Sequence, residues 1–168
     1  MSEADSLELK QISQEAVAEA VAKAEHYRLL NEPEQAESVC LDVYEAEPSN
    51  QRNLICLVLA MSDQLGSPRG ARRKQIEVFV AQIEGDYLRA YYRALIAERG
   101  ARPLLDKGPS RVFAYDGLRE AMDLYDVAAE LRPAGNDDCL LRWNSCLRTI
   151  RRERLKPLPP TETGFPLE

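Results

Sequence analysis

Side chains that commonly carry catalysis are scarce in this chain of 168 residues. It has one histidine, His26, so a nucleophile–histidine pair or a multi-histidine metal site would have to depend on that residue. The four cysteines form no C-x-x-C pair, which argues against a zinc site. The two glycine-rich phosphate-binding motifs, G-x-x-x-x-G-K-[ST] and G-x-G-x-x-G, do not occur. We therefore predict a protein that is not an enzyme and that uses no metal or cofactor.

The overall composition is typical of a globular helical protein. Hydrophobic residues make up 45% of the chain and charged residues 30%, and Ala, Leu and Glu, which favour helices, are abundant. The formal net charge of −6 is unfavourable for binding nucleic acid. No apolar run approaches the roughly 20 residues that span a bilayer, and the first ten residues do not resemble a signal peptide. We expect a cytoplasmic protein that binds neither nucleic acid nor membrane.

The segment from Asn31 to Pro48, NEPEQAESVCLDVYEAEP, has helix signals at both ends. Asn31 is predicted to cap the helix, with Glu34 returning a hydrogen bond to the cap. Pro33 then lies in the first turn, where its missing N–H is tolerated, and Pro48 ends the helix. The small Ala36 would let another helix approach closely. These signals predict one amphipathic helix over 31–48.

A second segment, LREAMDLYDVAAELRP, repeats this pattern from Leu118 to Pro133. Four of its residues correspond to residues of the first segment that lie 85 positions earlier: Ala121 to Ala36, Tyr125 to Cys40, Ala128 to Val43 and Pro133 to Pro48. Upstream of the first copy, Ala24 and Tyr27 supply a further small residue and an aromatic. The offset equals two repeats of about 34 residues plus an insertion of about 17.

Residues 17–50 therefore resemble a tetratricopeptide (TPR) repeat, and residues 86–99 with 117–133 resemble another, split by an insertion at 100–116. The resemblance is to small bacterial TPR proteins, of which type III secretion chaperones are similar in outline. It implies an all-α, TPR-like helical-hairpin solenoid of about three units with a C-terminal capping helix. It also implies protein–protein binding, by an adaptor or a small chaperone that holds a peptide or helix in a concave groove.

Three regions are expected along the chain: a flexible leader at 1–12, a TPR-like helical domain at 13–156, and a disordered Pro-rich tail at 157–168. Within the domain, Gly and Pro punctuation and apolar spacing predict seven helices. Their ranges are 13–30, 31–48, 51–65, 68–84, 87–99, 117–131 and about 136–154. The cysteines, Cys40, Cys56, Cys139 and Cys146, lie on apolar helix stripes, so we expect all four to be buried. Trp143 is expected to bury its ring against the sixth helix.

In the repeat register, the resemblance places a set of side chains in the concave groove: Arg52, Tyr91, Arg99, Asn144 and Arg148. Glu25, Arg28 and Asp63 would lie beside them. Tyr and Arg are typical anchors of binding surfaces, although Tyr91 could instead fill the core. The expected partner is a peptide or helix of another protein, and a homodimer is left open.

A second hypothesis is a non-catalytic structural or assembly subunit. Four cations stand at the start of the predicted fourth helix, where the helix dipole disfavours them: Arg69, Arg72, Arg73 and Lys74. An acidic partner could compensate for that placement. The subunit would dock through these cations and through the insertion at 100–116, because loops of that length are often functional. A second basic cluster, over 148–156, ends the last helix, where the dipole favours cations, and it needs no partner to explain it.

The repeat assignment can be tested through its small residues. Replacing Ala36 or Ala121 by Leu should overpack a helix–helix contact and lower the free energy of unfolding by about 1–3 kcal/mol. Urea denaturation followed by circular dichroism measures the change. Unchanged stability in both variants would contradict the assignment.

Overall fold

A computed structural model describes residues 7–158 of the chain. This part contains seven α-helices and no strand: α1 (Val17–Leu29), α2 (Pro33–Ala46), α3 (Gln51–Asp63), α4 (Arg73–Val80), α5 (Asp86–Ala101), α6 (Ala114–Leu131) and α7 (Asp138–Arg152). Short 3-10 helices lie at Gln14–Ala16, Arg102–Asp106 and Gly108–Phe113. The all-α fold class, with helices packed in adjacent pairs as in a helical-hairpin solenoid, is confirmed.

The chain divides into two compact units. The first ends at Arg89 and the second begins at Ala90, so α5 starts in one and continues in the other. In the first unit, α1 packs against α2, α2 against α3 and α3 against α4, while α1 also contacts α3. In the second unit, α6 packs against α7 and against both 3-10 helices that precede it.

Small and medium apolar side chains form the core of the first unit. Ala24, Ala36, Cys40 and Val43 have no exposed surface, as the repeat pattern predicts. Val17 and Val21 of α1 form a cluster with Val43, and Ile12 packs on it. The segment that precedes α1 is thereby attached to the core, since an apolar side chain removed from water stabilises the packed state.

The junction between α1 and α2 differs from the prediction. Asn31 has a positive φ of 60°, its N–H donates to the Arg28 carbonyl, and the N–H of Glu32 donates to the Tyr27 carbonyl. This pair of bonds is a Schellman motif, in which a left-handed residue ends a helix. The predicted Asn31–Glu34 capping box is wrong, because Asn31 terminates α1 and Glu32 occupies the cap position of α2 without a side-chain bond. Pro33 does begin α2, as predicted.

The fourth helix is shorter than predicted. The expected range was 68–84, whereas α4 spans Arg73–Val80 and turns precede it. Gly70 precedes α4 and lies outside the helix. A Cβ added at Gly70 would stand 2.1 Å from the Gln64 carbonyl oxygen, so the glycine permits a close backbone approach. The buried face of α4 is the expected one, with Ile76 and Val80 fully enclosed.

In the second unit, α5 continues through Gly100, which was expected to end it. The insertion at 100–116 is helical in character, because it consists of the end of α5, two 3-10 helices and the first turn of α6. Asp116 lies in that first turn, and Phe113 occupies the cap position. The insertion is therefore an ordered element, and it packs against α6.

In the hairpin of α6 and α7, three residues that belong to the repeat pattern are buried as predicted. Ala121, Tyr125 and Ala128 are buried, and so are all four cysteines, as expected. Trp143 is only partly buried, in contrast to the prediction, and its indole N–H donates to the Asp126 carboxylate at 3.3 Å.

Within residues 7–158, no helix is both long and apolar enough to cross a membrane. Residues 7–13 have no regular structure, and Pro157 and Leu158 follow α7 as coil. The rest of the predicted leader and tail, residues 1–6 and 159–168, lies outside the described residues.

The close approach at Gly70 gives a stability prediction. Gly70→Ala would place a methyl group against the Gln64 carbonyl, so the free energy of unfolding should fall by about 1–3 kcal/mol. Arg69→Ala, at the exposed neighbouring position, should change it by less than about 0.5 kcal/mol. Equal urea midpoints for the two variants would contradict the assigned backbone geometry.

Candidate functional site

An open groove with a volume of about 520 Å³ lies on the first unit between α1 and α3. We call it the α1–α3 groove, and its lining residues are Glu25, Arg28, Leu29, Arg52, Ile55, Cys56 and Leu59. Leu29 is 85% exposed, and Ile55 and Leu59 add partly exposed apolar surface. An apolar concavity with a few polar groups at its sides is the usual form of a ligand-binding site.

The apolar floor of the groove arises from the unusual sequence of α3. Residues 54–61, LICLVLAM, are apolar without interruption, so side chains beyond the buried stripe are also apolar. Leu54, Leu57 and Val58 fill the core. Ile55 and Leu59, four residues apart and therefore on one helix face, remain partly exposed toward the groove.

Two ion pairs join the helices that form the groove. Arg52 of α3 makes a bidentate contact with Glu25 of α1, with Nε to Oε1 at 2.8 Å and Nη2 to Oε2 at 2.5 Å. Arg28 of α1 donates from Nε to Oδ2 of Asp63, at the end of α3, at 2.8 Å. All four residues had been predicted to line a binding groove. Glu25, Arg28 and Arg52 line this one, whereas Asp63 lines a neighbouring pocket, and their role in binding stays a prediction.

The Arg52–Glu25 pair is exposed enough to exchange partners. The side chains are 59% and 40% exposed. The hydrogen bond from Arg52 lowers the pKa of the Glu25 carboxyl, with burial acting in the opposite direction, so the pair is ionised at neutral pH. Exposed ion pairs contribute only about 0–1 kcal/mol. A carboxylate on a ligand could therefore replace Glu25 at little cost, and Arg52 offers it the bidentate geometry that guanidinium groups favour.

The groove contains no assembled catalytic group among the described residues. His26 is exposed on α1. Cys56 lines the groove but is 2% exposed. Its hydrogen-bonded neighbour Cys40 is fully buried, and this contact together with burial raises the pKa of the Cys40 thiol. Over residues 7–158, no cluster of three or more His, Cys, Asp or Glu residues is arranged to hold a metal ion.

The other predicted groove residues lie in the second unit. Tyr91 is half-buried on α5, where its ring packs against the rings of Tyr92 and Tyr125 at centroid distances of 5.3 and 6.0 Å. Arg99 is partly exposed on α5. Asn144 and Arg148 are exposed and four residues apart, so they share one face of α7. Tyr91 thus has the mixed character, part core and part surface, that the sequence left open.

The four residues of the second predicted interface, Arg69, Arg72, Arg73 and Lys74, are all exposed. Because α4 begins later than expected, Arg69 lies in the preceding turn and Arg72 occupies the cap position. Only Arg73 and Lys74 stand in the first turn of α4. The unfavourable interaction with the helix dipole, which had suggested a compensating partner, is correspondingly smaller than expected.

Sequence reasoning missed a buried ionic network in the second unit. The Glu98 side chain of α5 is fully buried, and its Oε2 accepts a hydrogen bond from the Tyr125 hydroxyl of α6 at 2.8 Å. Its Oε1 accepts from Nε of Arg102 at 2.9 Å. Nε of Arg142, on α7, lies 3.2 Å from Oε2, and Nη2 of Arg102 donates to Ser145 at 3.3 Å. The network joins α5, α6 and α7.

This network is structural in character. Arg142 Nε is buried without a hydrogen-bond partner, so its close contact with Glu98 is an electrostatic attraction that lacks hydrogen-bond geometry. Burial, followed by the Glu98 charge, raises the pKa of the Tyr125 hydroxyl, which keeps its proton and remains a donor. Breaking one partner of such a group is costly because a buried charge loses its compensation. The available signal in the sequence was a lone Glu within the run ALIAERGA.

No protein-family model, curated protein or solved structure matches the chain, so a functional assignment has to come from the chemistry of its own residues.

The network makes a prediction about pH. Tyr125→Phe should lower the free energy of unfolding by about 1.5–3 kcal/mol near neutral pH, because the donor to a charged carboxylate is lost. The raised pKa of Tyr125 means that, above about pH 10, the unfolded wild type releases a proton which the folded wild type keeps. The free energy of unfolding of the wild type therefore falls as the pH rises in this range, because Tyr125 favours the unfolded state there. The variant has no hydroxyl at this position and lacks this effect.

The difference in stability between wild type and Tyr125→Phe should thus narrow as the pH rises, and urea denaturation at a series of pH values measures it. Trp143→Phe, which removes an exposed hydrogen bond to Asp126, is the control and should change stability by less than about 0.5 kcal/mol. A wild-type advantage that grows above pH 10 would contradict the account.

Proposed function

We propose that this protein binds a peptide or a helix of another protein in the α1–α3 groove, as an adaptor or small chaperone of the TPR type. The observation that carries the proposal is the combination of the apolar floor at Ile55 and Leu59 with the exchangeable Arg52–Glu25 pair beside it. Apolar side chains of the ligand would bury on the floor, and a ligand carboxylate would replace Glu25 on Arg52.

The dimensions of the groove support an elongated ligand. It follows the two helices α1 and α3, and the two ion pairs stand at different levels along them, since Arg52 begins α3 and Asp63 ends it. The part of α3 that lines the groove, from Arg52 to Leu59, is about 10 Å long. A ligand helix of three to four turns would cover this length and present apolar residues at i and i+4 to Ile55 and Leu59.

The family part of the proposal comes from the repeat pattern. If α1 and α3 are the first helices of successive TPR units, the groove is formed by the helices that line the concave face in that family. The small residues of the pattern, Ala24 and Ala36, are fully buried, which supports this assignment. A cytoplasmic location belongs to the same proposal.

An assembly subunit is the second candidate, and the observation that favours it is the exposure of Arg69, Arg72, Arg73 and Lys74. A partner protein with an acidic surface would dock there. Reversing Arg72 and Arg73 to Glu distinguishes the two functions, because it should leave peptide binding in the α1–α3 groove unchanged and should abolish docking of an acidic subunit.

Peptide selection tests the groove. Random peptides of about 16 residues, long enough for a four-turn helix, are displayed on phage and selected against the full chain, and the recovered peptide is titrated by fluorescence anisotropy. Ile55→Ser with Leu59→Ser should weaken its binding by at least about 2 kcal/mol, as expected for central anchor positions. Arg52→Ala should weaken it further if the selected peptide carries a carboxylate.

The matched control is Val127→Ser with Leu131→Ser, an exposed apolar pair at the same i, i+4 spacing on α6. This variant should bind the peptide as the wild type does. The proposal fails if no selected peptide binds saturably, or if the α6 pair reduces the affinity as much as the α3 pair.

A further inference from the structure

The end of α7 carries more positive charge than helix termination explains. Residues 148–158 contain five cations and one carboxylate: Arg148, Arg151, Arg152, Arg154, Lys156 and Glu153. The helix dipole favours one or two cations in the last turn, but additional like charges on neighbouring positions repel one another. Dipole stabilisation therefore accounts for only part of the cluster.

Most of these cations have no partner within residues 7–158. Arg152 pairs with Glu153, whereas the side chains of Arg148, Arg151, Arg154 and Lys156 make neither an ion pair nor a hydrogen bond in this part of the chain. By contrast, Arg28, Arg52, Arg102 and Arg132 are each engaged by a carboxylate. The end of α7 is thus a region where positive charge is left for something else to neutralise.

The backbone at Arg154 points to a role for its side chain. The N–H of Arg154 donates to the Arg151 carbonyl and that of Leu155 to the Ile150 carbonyl, which is the Schellman arrangement. Arg154 occupies the left-handed position with a φ of 51°. Glycine adopts this conformation freely, whereas a residue with a Cβ is strained there. An arginine at this position therefore costs stability relative to glycine, and a strained residue of this kind is a candidate for a functional role.

A concave site adjoins this cluster. A cavity of about 380 Å³ is lined by Gly108, Arg111, Val112, Glu153, Arg154, Leu155, Lys156, Pro157 and Leu158. Val112 and Leu158 supply partly exposed apolar surface, and Phe113 beside them is 55% exposed. Its apolar lining can receive an apolar side chain, and Arg154 and Lys156 are part of the same lining.

Hydrogen bonds from Arg111 hold the two sides of this site together. Arg111 of the insertion donates to the Leu105 carbonyl at 2.9 Å, and to both the carbonyl and the carboxylate of Glu153 at 3.0 Å. These hydrogen bonds, and a further one from Arg152, lower the pKa of the Glu153 carboxyl, so the contact is ionised at neutral pH. The insertion is thereby fixed to the end of α7, and the negative charge of Glu153 is already compensated.

We infer that this cavity, formed by the insertion and the end of α7, binds a short acidic segment of a partner protein that carries one apolar side chain between carboxylates. The apolar side chain enters between Val112, Leu155 and Leu158, and the flanking carboxylates bind Arg154 and Lys156. Guanidinium and ammonium groups at the rim of an apolar pocket give such a ligand both affinity and orientation. This surface belongs to the second unit and the α1–α3 groove to the first, and it does not depend on the function proposed for that groove.

A protein segment fits better than a polyanion. Nucleic acid requires a track of cations along several phosphates, together with aromatic platforms for single strands. Here the unpaired cations occupy the last turn of one helix and the residues just after it, and Glu153 stands among them. An anionic lipid surface would favour a broad basic face, whereas Arg154 and Lys156 line a concave site that is partly apolar.

Fluorescence anisotropy with a defined probe tests the inference on the full chain. The probe is a fluorescein-labelled peptide EELFEEL, and the reference peptides are QQLFQQL, which lacks the charge, and EEGSEEG, which lacks the apolar side chains. At an ionic strength of about 0.15 M, the first peptide should bind saturably, and each reference peptide should bind at least about tenfold more weakly.

Two variants of the site separate binding from stability. Arg154→Glu with Lys156→Glu should weaken EELFEEL at least about tenfold. Arg154→Gly should also weaken it, by about threefold or more, while raising the melting temperature by about 2–4 °C because glycine relieves the left-handed strain. A variant that becomes more stable yet binds less well cannot be explained by damage to the fold.

The matched control is Arg72→Glu with Lys74→Glu in the first unit, which makes the same change in charge and should leave the affinity unaltered. The inference is overturned if EELFEEL does not bind saturably, or if the control pair or Ile55→Ser with Leu59→Ser weakens it as much as the α7 pair. Tighter binding of a single-stranded oligonucleotide or of phosphatidylserine vesicles than of the peptide would also overturn it.

Discussion

Close approach between neighbouring helices is the constraint on which the rest of this structure depends. Two helices come closest together where small side chains stand at their contact. Ala24 and Ala36 in the first unit, and Ala121 and Ala128 in the second, have no exposed surface. In the first unit this packing brings α1 near α3, so that Glu25 meets Arg52 across them and an apolar groove is left between the two helices.

The fold was largely predictable because its signals are local. Helix periodicity and the repeated small residues depend on a few neighbouring positions. So does the N-cap of α3, where the side chain of Asn50 accepts from the Asn53 N–H at 2.9 Å. Helix ends were less predictable, since one residue type serves opposite purposes. Asn is favoured both as an N-cap and in the left-handed position that ends a helix, and Asn31 takes the second role.

The candidate sites were predicted less completely, for reasons that differ between residues. Arg52, Glu25 and Arg28 were predicted from the repeat register. The floor residues Ile55 and Leu59 were not predicted, because they lie within an uninterrupted apolar run that is typical of a buried helix. The network around Glu98 joins three helices, so no local pattern contains it. The basic cluster at the end of α7 was recognised in the sequence. The site that it forms could not be predicted, because it depends on the backbone conformation of Arg154 and on contacts with the distant insertion.

Methyl NMR spectroscopy tests most directly whether the ligand binds in the α1–α3 groove. Full-length protein labelled at Ile, Leu and Val methyl groups is titrated with a peptide that binds it. The account predicts that the largest chemical-shift changes occur at Leu29, Ile55 and Leu59, while the methyl groups of Val127, Leu131 and Leu141, which are exposed on α6 and α7, stay unchanged. Changes concentrated in α4 beside Arg72 and Arg73, with Ile55 and Leu59 unaffected, would contradict it.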